Sequence, residues 1–321
     1  MKAYKLWIGL LFLSACSQQV AVPQHRDPLF EKIYHLNQPA KPSAFFEQID
    51  KAQVIFLGEH HDNQRHHQIQ LEVLQHLVKQ GKQPILAFEA FSQAQTSSLM
   101  NYGQGSKNSS AKALHRLIGG SKQWDVYRPL LSYAKKMNLE LAGIDLDVDL
   151  KSRLTHKPVS QLTHLEVKGL PQVNPSSLAY QQVMHKRFTE GHCGWSSPEL
   201  LKGLYRVWEF RNQAMAEAIS TLVRPEKVVV VILGSGHLEF GQGTLSRFRH
   251  LRPEVQTFDL ALMEVGLKPT KVEAYFYGSP QETEQFGPAY TWGWFTNRSS
   301  WVDPCERFKT QLKTHQSPAA P

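Results

Sequence analysis

Cysteine is nearly absent: the 321 residues hold three, at positions 16, 193 and 305. No Cys-x-x-Cys-His site can be built from them, which excludes the covalent c-type cytochromes. The chain also lacks a Gly-x-Ser-x-Gly elbow and a phosphate-binding P-loop, which removes the commonest serine-hydrolase and nucleotide-binding classes. Beyond residue 13 no apolar run approaches the roughly 20 residues that span a bilayer. Blocks of like charge are missing too, because the 36 basic and 28 acidic residues are interspersed. That distribution suits solubility and attraction to anionic ligands, and gives no support to nucleic-acid binding.

What is present at the N-terminus is a targeting pattern. Lys2 and Lys5 precede an apolar centre over Leu6 to Leu13, and Leu13-Ser14-Ala15-Cys16 has the small-residue cleavage form with cysteine next in line. These residues resemble a bacterial lipobox, which implies a leader over 1–15 and lipidation of Cys16. Ser17, standing where an aspartate would hold the protein back, resembles lipoproteins sent to the outer membrane. Without Lys2 and Lys5, 28 acidic residues still leave the mature chain with a formal charge of about +6. About 300 residues with 41% hydrophobic content can bury one large core. An exported compartment permits a Cys193–Cys305 bridge, closing a long loop.

Residues 16–43 carry Pro23, Pro28, Pro39 and Pro42 and read as a tether, with a short helical piece around Leu29 to Leu36. The globular domain is expected over 44–306, followed by a tail over 307–321 with a solvated helix from Glu306 to Lys313 and a disordered end. Its organising stretch is Ala52 to Asn63: an apolar strand that stops at Gly58 and opens into Glu59, His60, His61, Asp62 and Asn63. A helix follows over Gln64 to Gln80, where His66 and His67 read as surface residues. Further strands end at Glu89, at Asp145 and, after Lys227 to Leu233, at Gly234-Ser-Gly-His237. Helices are expected over Phe91 to Met100 and Trp124 to Met137, and Asp147 and Asp149 read as a solvated face. Strands alternating with helices predict an α/β fold with a mainly parallel sheet flanked by helices. Chemistry in such sheets gathers beyond the carboxyl ends of the strands.

Between about 150 and 198 the pattern loosens around Pro158, Pro171, Pro175 and Pro198, which predicts an inserted helical and irregular lid carrying Tyr180, His185, His192 and Cys193. The helix after it places Leu201, Leu204, Trp208, Arg211, Met215, Ala218 and Leu222 on one stripe. A guanidinium on a core-facing stripe needs a carboxylate, and Glu89 and Asp145 are the candidates.

Gly58-Glu-His-His61, Phe88-Glu89, Glu209-Phe-Arg211-Asn212 and Gly234-Ser-Gly-His237 together resemble the Tiki/TraB superfamily. Within it, Gly58 to Asn63, Trp124-Asp-Val-Tyr127-Arg-Pro129, the lipobox, and Ala289 to Thr296 followed by Asp303-Pro-Cys305 resemble the ChaN-type haem-binding lipoproteins. The resemblance runs from about residue 45 to 306 and implies paired Gly-x-x-His loops on an α/β core. For ChaN-type proteins it implies cofacial haem in a dimer with a tyrosine on the iron; a phenolate favours Fe(III). No local motif marks that tyrosine. Tyr205 and Tyr180 are the candidates, with His185 and His192 available to a propionate or a neighbouring phenolate. Asp145 stands where the family leads one to expect asparagine.

Three functions follow, the last a structural envelope lipoprotein whose polar cluster is a relic. The first is an outer-membrane-anchored haem-binding lipoprotein serving haem or iron uptake or storage, dimeric when loaded and exchanging haem with a donor or receptor in the envelope. The second, implied by hydrolytic members of the superfamily, is a divalent-metal-dependent peptidase or esterase. There His61, His237 and Glu89 would hold an ion such as Mn or Zn, and Arg211 would face an oxyanion.

Overall fold

The computed structural model describes residues 27–105, 115–116, 122–307 and 309. The expected leader, the lipidated Cys16, the tether up to residue 26 and nearly all of the tail lie outside the described residues.

The chain enters through a hairpin. Leu29 to Leu36 is not helical as the apolar spacing predicts: a turn leads into β1 (Ile33–His35), which folds back as β2 (Gln38–Ala40). Leu36 closes the hairpin with a left-handed φ of 54°. Pairing explains the difference, because the backbone of β1 is satisfied across strands while Leu29 and Ile33 are buried. Next come α1 (Pro42–Lys51), β3 (Val54–Glu59) and α2 (Gln64–Lys79). Asn63 starts α2 by accepting the N–H groups of Arg65 and His66.

β4 (Pro84–Ser92) runs beyond Glu89, so the helix expected from Phe91 begins only at Thr96, as α3 (Thr96–Gly103). Similarly, residues 122–127 form a 3-10 turn, and α4 (Arg128–Lys136) starts with Pro129 in its first turn, where a missing N–H costs nothing. β5 (Glu140–Asp145) follows. The insertion is more regular than its prolines suggest: α5 (Val148–His156), α6 (His164–Lys168) and α7 (Leu178–Gly191). Asp147 and Asp149 are exposed, as expected, but at the start of α5.

The long α8 (Pro198–Leu222) returns to the sheet, followed by β6 (Val228–Gly234), α9 (Gly243–Leu251), β7 (Thr257–Glu264), α10 (Glu273–Phe276), α11 (Pro280–Phe286) and β8 (Trp292–Thr296). α5 crosses α8 so closely that a Cβ on Gly203 would lie 1.8 Å from the Thr155 carbonyl oxygen. Only glycine fits there.

All eight strands form one sheet in the order β2-β1-β8-β7-β3-β6-β4-β5, parallel from β8 to β5 and antiparallel at β1 and β2. Both faces are covered, which is why β3 and β6 read as continuous apolar runs. Ile55 and Leu57 face Phe45, Ile49, Ile69 and Val73. The alternate residues Val54 and Phe56 face Met215, Ile219, Leu245 and Phe248. β6 lies between β3 and β4, so the chain reverses its direction of travel there, and ligand crevices open at such points.

Candidate functional site

The strand ends converge as the sequence predicts. β3 delivers Glu59 and His61, β4 Glu89, β5 Asp145 and β6 the loop to His237, while α8 contributes Arg211. Close approach at this edge needs Gly58, since a Cβ there would stand 2.9 Å from the Ser235 Cα.

Arg211 is the hub. Its Nη2 donates to Glu89 Oε1 at 2.5 Å and to Asp145 Oδ2 at 2.8 Å, and its Nε to Asp145 Oδ1 at 3.0 Å. Asp145 also takes the Leu146 N–H and the Lys151 ammonium. An aspartate where the family implies asparagine therefore supplies a buried charge, offset by two cations. Glu89 receives the Gly234 N–H at 2.6 Å. Burial works against its charge, yet His237 and Arg211 beside it hold the carboxyl well below the usual carboxylate range.

His237 is fixed from behind. Its Nδ1 faces Asn212 Oδ1 at 2.7 Å, and Thr244 donates to the same oxygen. An amide oxygen only accepts, so Nδ1 carries a proton, and Nε2, 3.2 Å from Glu89 Oε1, donates to that carboxylate when the ring is charged. Burial pushes the ring below its ordinary pKa despite that carboxylate. Its other face stacks on Trp208 at 4.1 Å.

The His61 ring is 40% exposed, with Nδ1 2.9 Å from Glu59 Oε1 and Nε2 3.9 Å from Glu89 Oε1. Glu59 is buried and accepts from the Tyr127 hydroxyl and from Gln70 Nε2. Burial, reinforced by Glu59, holds the Tyr127 phenol far above its ordinary pKa, so it stays a donor. For His61 itself burial opposes the charge, but the Glu59 hydrogen bond and the two carboxylates outweigh it and raise the pKa to about 9.

A folded-state pKa above the unfolded value adds stability that is full below about 6.5 and vanishes as pH rises through about 9. His61→Gln should therefore narrow the wild type's loss of unfolding free energy between pH 6.5 and 9.5. Urea titrations at both pH values check it; an unchanged difference would refute the assignment.

His60 is exposed, and its backbone N–H donates to His66 Nδ1. His66 and His67 are buried, not on the surface. Each has a polar job that the helical period does not reveal: His66 Nε2 bonds Thr296 Oγ1, and His67 Nε2 donates to the His61 carbonyl. Between them they pin the loop that carries His61. Tyr127, Gln70, Asn212, Trp208 and Lys151 complete the site without having been singled out as site residues; only their bonds to Glu59, His237 and Asp145 identify them.

A cavity of about 610 Å³ opens beside His61, Glu89, Asp145, Lys151 and Arg211. Among the described residues, no group of three or more His, Cys, Asp or Glu side chains is placed to hold a metal ion. His61, His237 and Glu89 come together, but Glu89 spends its oxygens on Arg211 and the Gly234 N–H.

The tyrosine candidates sit on the far side of Trp208. Tyr180 and Met184 of α7 pack with Trp208, and Phe188 and Tyr205 close the cluster. The His185 ring stands at 90° to Tyr205, with centroids 5.6 Å apart. His192 ends α7 and donates Nδ1–H to the Phe188 carbonyl. Cys193 and Cys305 are joined in a disulfide, as expected.

Residues 45–248 match the model of a family described as haem-binding uptake, Tiki superfamily, ChaN. The chain is similar in structure to ChaN of Campylobacter jejuni, solved with cofacially bound haem, at 15% identity and a TM-score of 0.62, covering 82% of this chain and 95% of that one. An erythromycin esterase, EreC, is more distant, at 17% identity and a TM-score of 0.43 over 74% of this chain and 77% of that one. No curated protein matches in sequence. The chain belongs to the ChaN family of the Tiki superfamily.

Proposed function

We propose that this ChaN-family chain is a haem-binding lipoprotein of the bacterial outer membrane, anchored through Cys16 and serving haem or iron uptake or storage. Haem is held non-covalently by a tyrosinate, and two copies pair on loading. Family membership supports the cofactor. The observation that carries the ligand site is a cluster of buried polar atoms: the Tyr180 hydroxyl lies beside Trp208, the Tyr205 hydroxyl beside Glu209 and Ser176, and His185 Nε2 is buried without a hydrogen-bond partner. Buried polar groups are nearly always well paired, so these, poorly aligned or unpaired beside one aromatic cluster, support a place built for a polar guest.

Tyr205 is the better iron ligand. It is half-buried, whereas Tyr180, on the inner face of α7, is 1% exposed. Burial and the neighbouring Glu209 push the Tyr205 phenol up to about 12. The phenol therefore keeps its proton until its oxygen would bind a strong Lewis acid such as ferric haem, the proton then leaving to solvent. His185 stands beside the phenol to orient it, and His192 lies within the same lid for a propionate.

A haem titration of the soluble domain, read by absorption and by size-exclusion mass, tests the proposal. Saturable binding with a dimer appearing on loading is expected; no saturable binding would refute it. The cavity beside His61 supports a second reading, ester or peptide hydrolysis with His61 exchanging the proton of water and Arg211 facing the oxyanion. Full haem binding by His61→Ala would place that chemistry apart from the haem site.

A further inference from the structure

α7 covers the buried polar cluster. Tyr180, Val183 and Met184 are buried on its inner face, against Trp208 in one direction and Phe240 and Ala289 in the other. With Tyr180 closed off to this degree, a ligand as large as a porphyrin reaches the inner hydroxyls only when α7 lifts. The fastenings of α7 are therefore the fastenings of the site. One is ionic: Arg187 pairs with Glu239 at 2.8 Å and Glu282 at 3.4 Å.

The other is covalent. Immediately after α7 the chain turns through His192 and Cys193, the latter in a left-handed conformation with φ 55°, before entering α8. Cys193 in that turn is bonded to Cys305. The Cys305 segment is moored to the sheet in its turn: Trp301 packs beside Met263 and Phe295, and the Ser299 N–H donates to Glu264 at 2.7 Å. The bridge thus ties the hinge of α7 to the body across 112 residues of sequence. Both cysteines are partly accessible, and the residues flanking Cys305 are exposed.

We infer that the Cys193–Cys305 disulfide is a redox latch on α7: closed, it holds Tyr180 and His185 of the helix against Tyr205 and Trp208 of α8; opened, it frees the helix to lift. The opening reagent is a dithiol, of the class carried by protein disulfide reductases. One of its thiolates attacks a cysteine sulfur and forms a mixed disulfide as the Cys–Cys bond breaks. Its second thiolate then displaces the other cysteine, so the dithiol is oxidised by two electrons and two protons end on Cys193 and Cys305. The latch stands on the fold alone; its use in haem capture or release rests on the function proposed above.

Hydrogen exchange of the haem-free soluble domain, oxidised and after dithiothreitol, tests the latch. Exchange over 178–191 should quicken at least tenfold on reduction while β3 and β6 stay protected, and Cys305→Ser should behave like the reduced form without reductant. Rates over α7 that agree within twofold would overturn the inference. Protection lost equally in β3 and β6 would also overturn it, because the bridge would then be a staple of the whole fold. Transfer of bound haem to apomyoglobin, measured on both forms, should quicken by the same factor. A loosened α7 with no haem bound in either form would retain the latch and reject the haem reading instead.

Discussion

Arg211→Met should cost the domain about 3–5 kcal/mol, a large part of the 5–15 kcal/mol that usually separates folded from unfolded chains. The residue is placed by α8 between two buried carboxylates, and its removal leaves Glu89 and Asp145 facing each other. Lys151 still reaches Asp145 at 2.5 Å, so the heavier loss falls on Glu89. Glu89 is depressed in the folded state, so its contribution is present above the ordinary carboxylate pKa and is lost as pH falls through the folded value. Without Arg211 that contribution shrinks, and the variant's deficit should be smaller in acid than at neutrality. Adding Glu89→Gln to Arg211→Met should recover part of the stability. Urea unfolding of the single and double variants measures both; a deficit under 1 kcal/mol for Arg211→Met would mean that the cluster is solvated rather than buried.

Tyr205→Phe should weaken ferric-haem binding at least 100-fold. That exceeds the 10–100-fold typical of losing a partner that only supports a metal ligand. Its hydroxyl makes no closely aligned hydrogen bond and only borders Glu209 and Ser176, so the haem-free stability should change by no more than about 1.5 kcal/mol. Tyr180→Phe removes a hydroxyl buried on the inner face of α7 beside Trp208, and should cost affinity less than tenfold. Equal affinity for Tyr205→Phe and wild type would move the ligand elsewhere.

The sheet was legible because β3 and β6 are apolar on both faces and end at glycine before a polar cluster, a pattern that period and composition expose. Arg211 was legible as well, since a charge on the core stripe of α8 demands a carboxylate and strand ends supply few. The partners that complete the site were not. Tyr127 reaches Glu59 from 68 residues away, and Asn212 reaches His237 from 25, so although both lie within family motifs nothing local names their partners. His66 and His67 misled for the same reason: buried imidazoles on a helix look like surface ones until Thr296 and the His61 carbonyl are in place. β1 was hidden because its three residues are a strand only in the company of β8.

The most direct measurement is the absorption and electron paramagnetic resonance spectrum of the ferric-haem-loaded soluble domain beside that of Tyr205→Phe. A high-spin ferric signal with a phenolate charge-transfer band in the wild type, absent from Tyr205→Phe and kept by Tyr180→Phe, is the predicted result. A low-spin spectrum in the wild type, or one identical in Tyr205→Phe, would contradict tyrosinate ligation from α8.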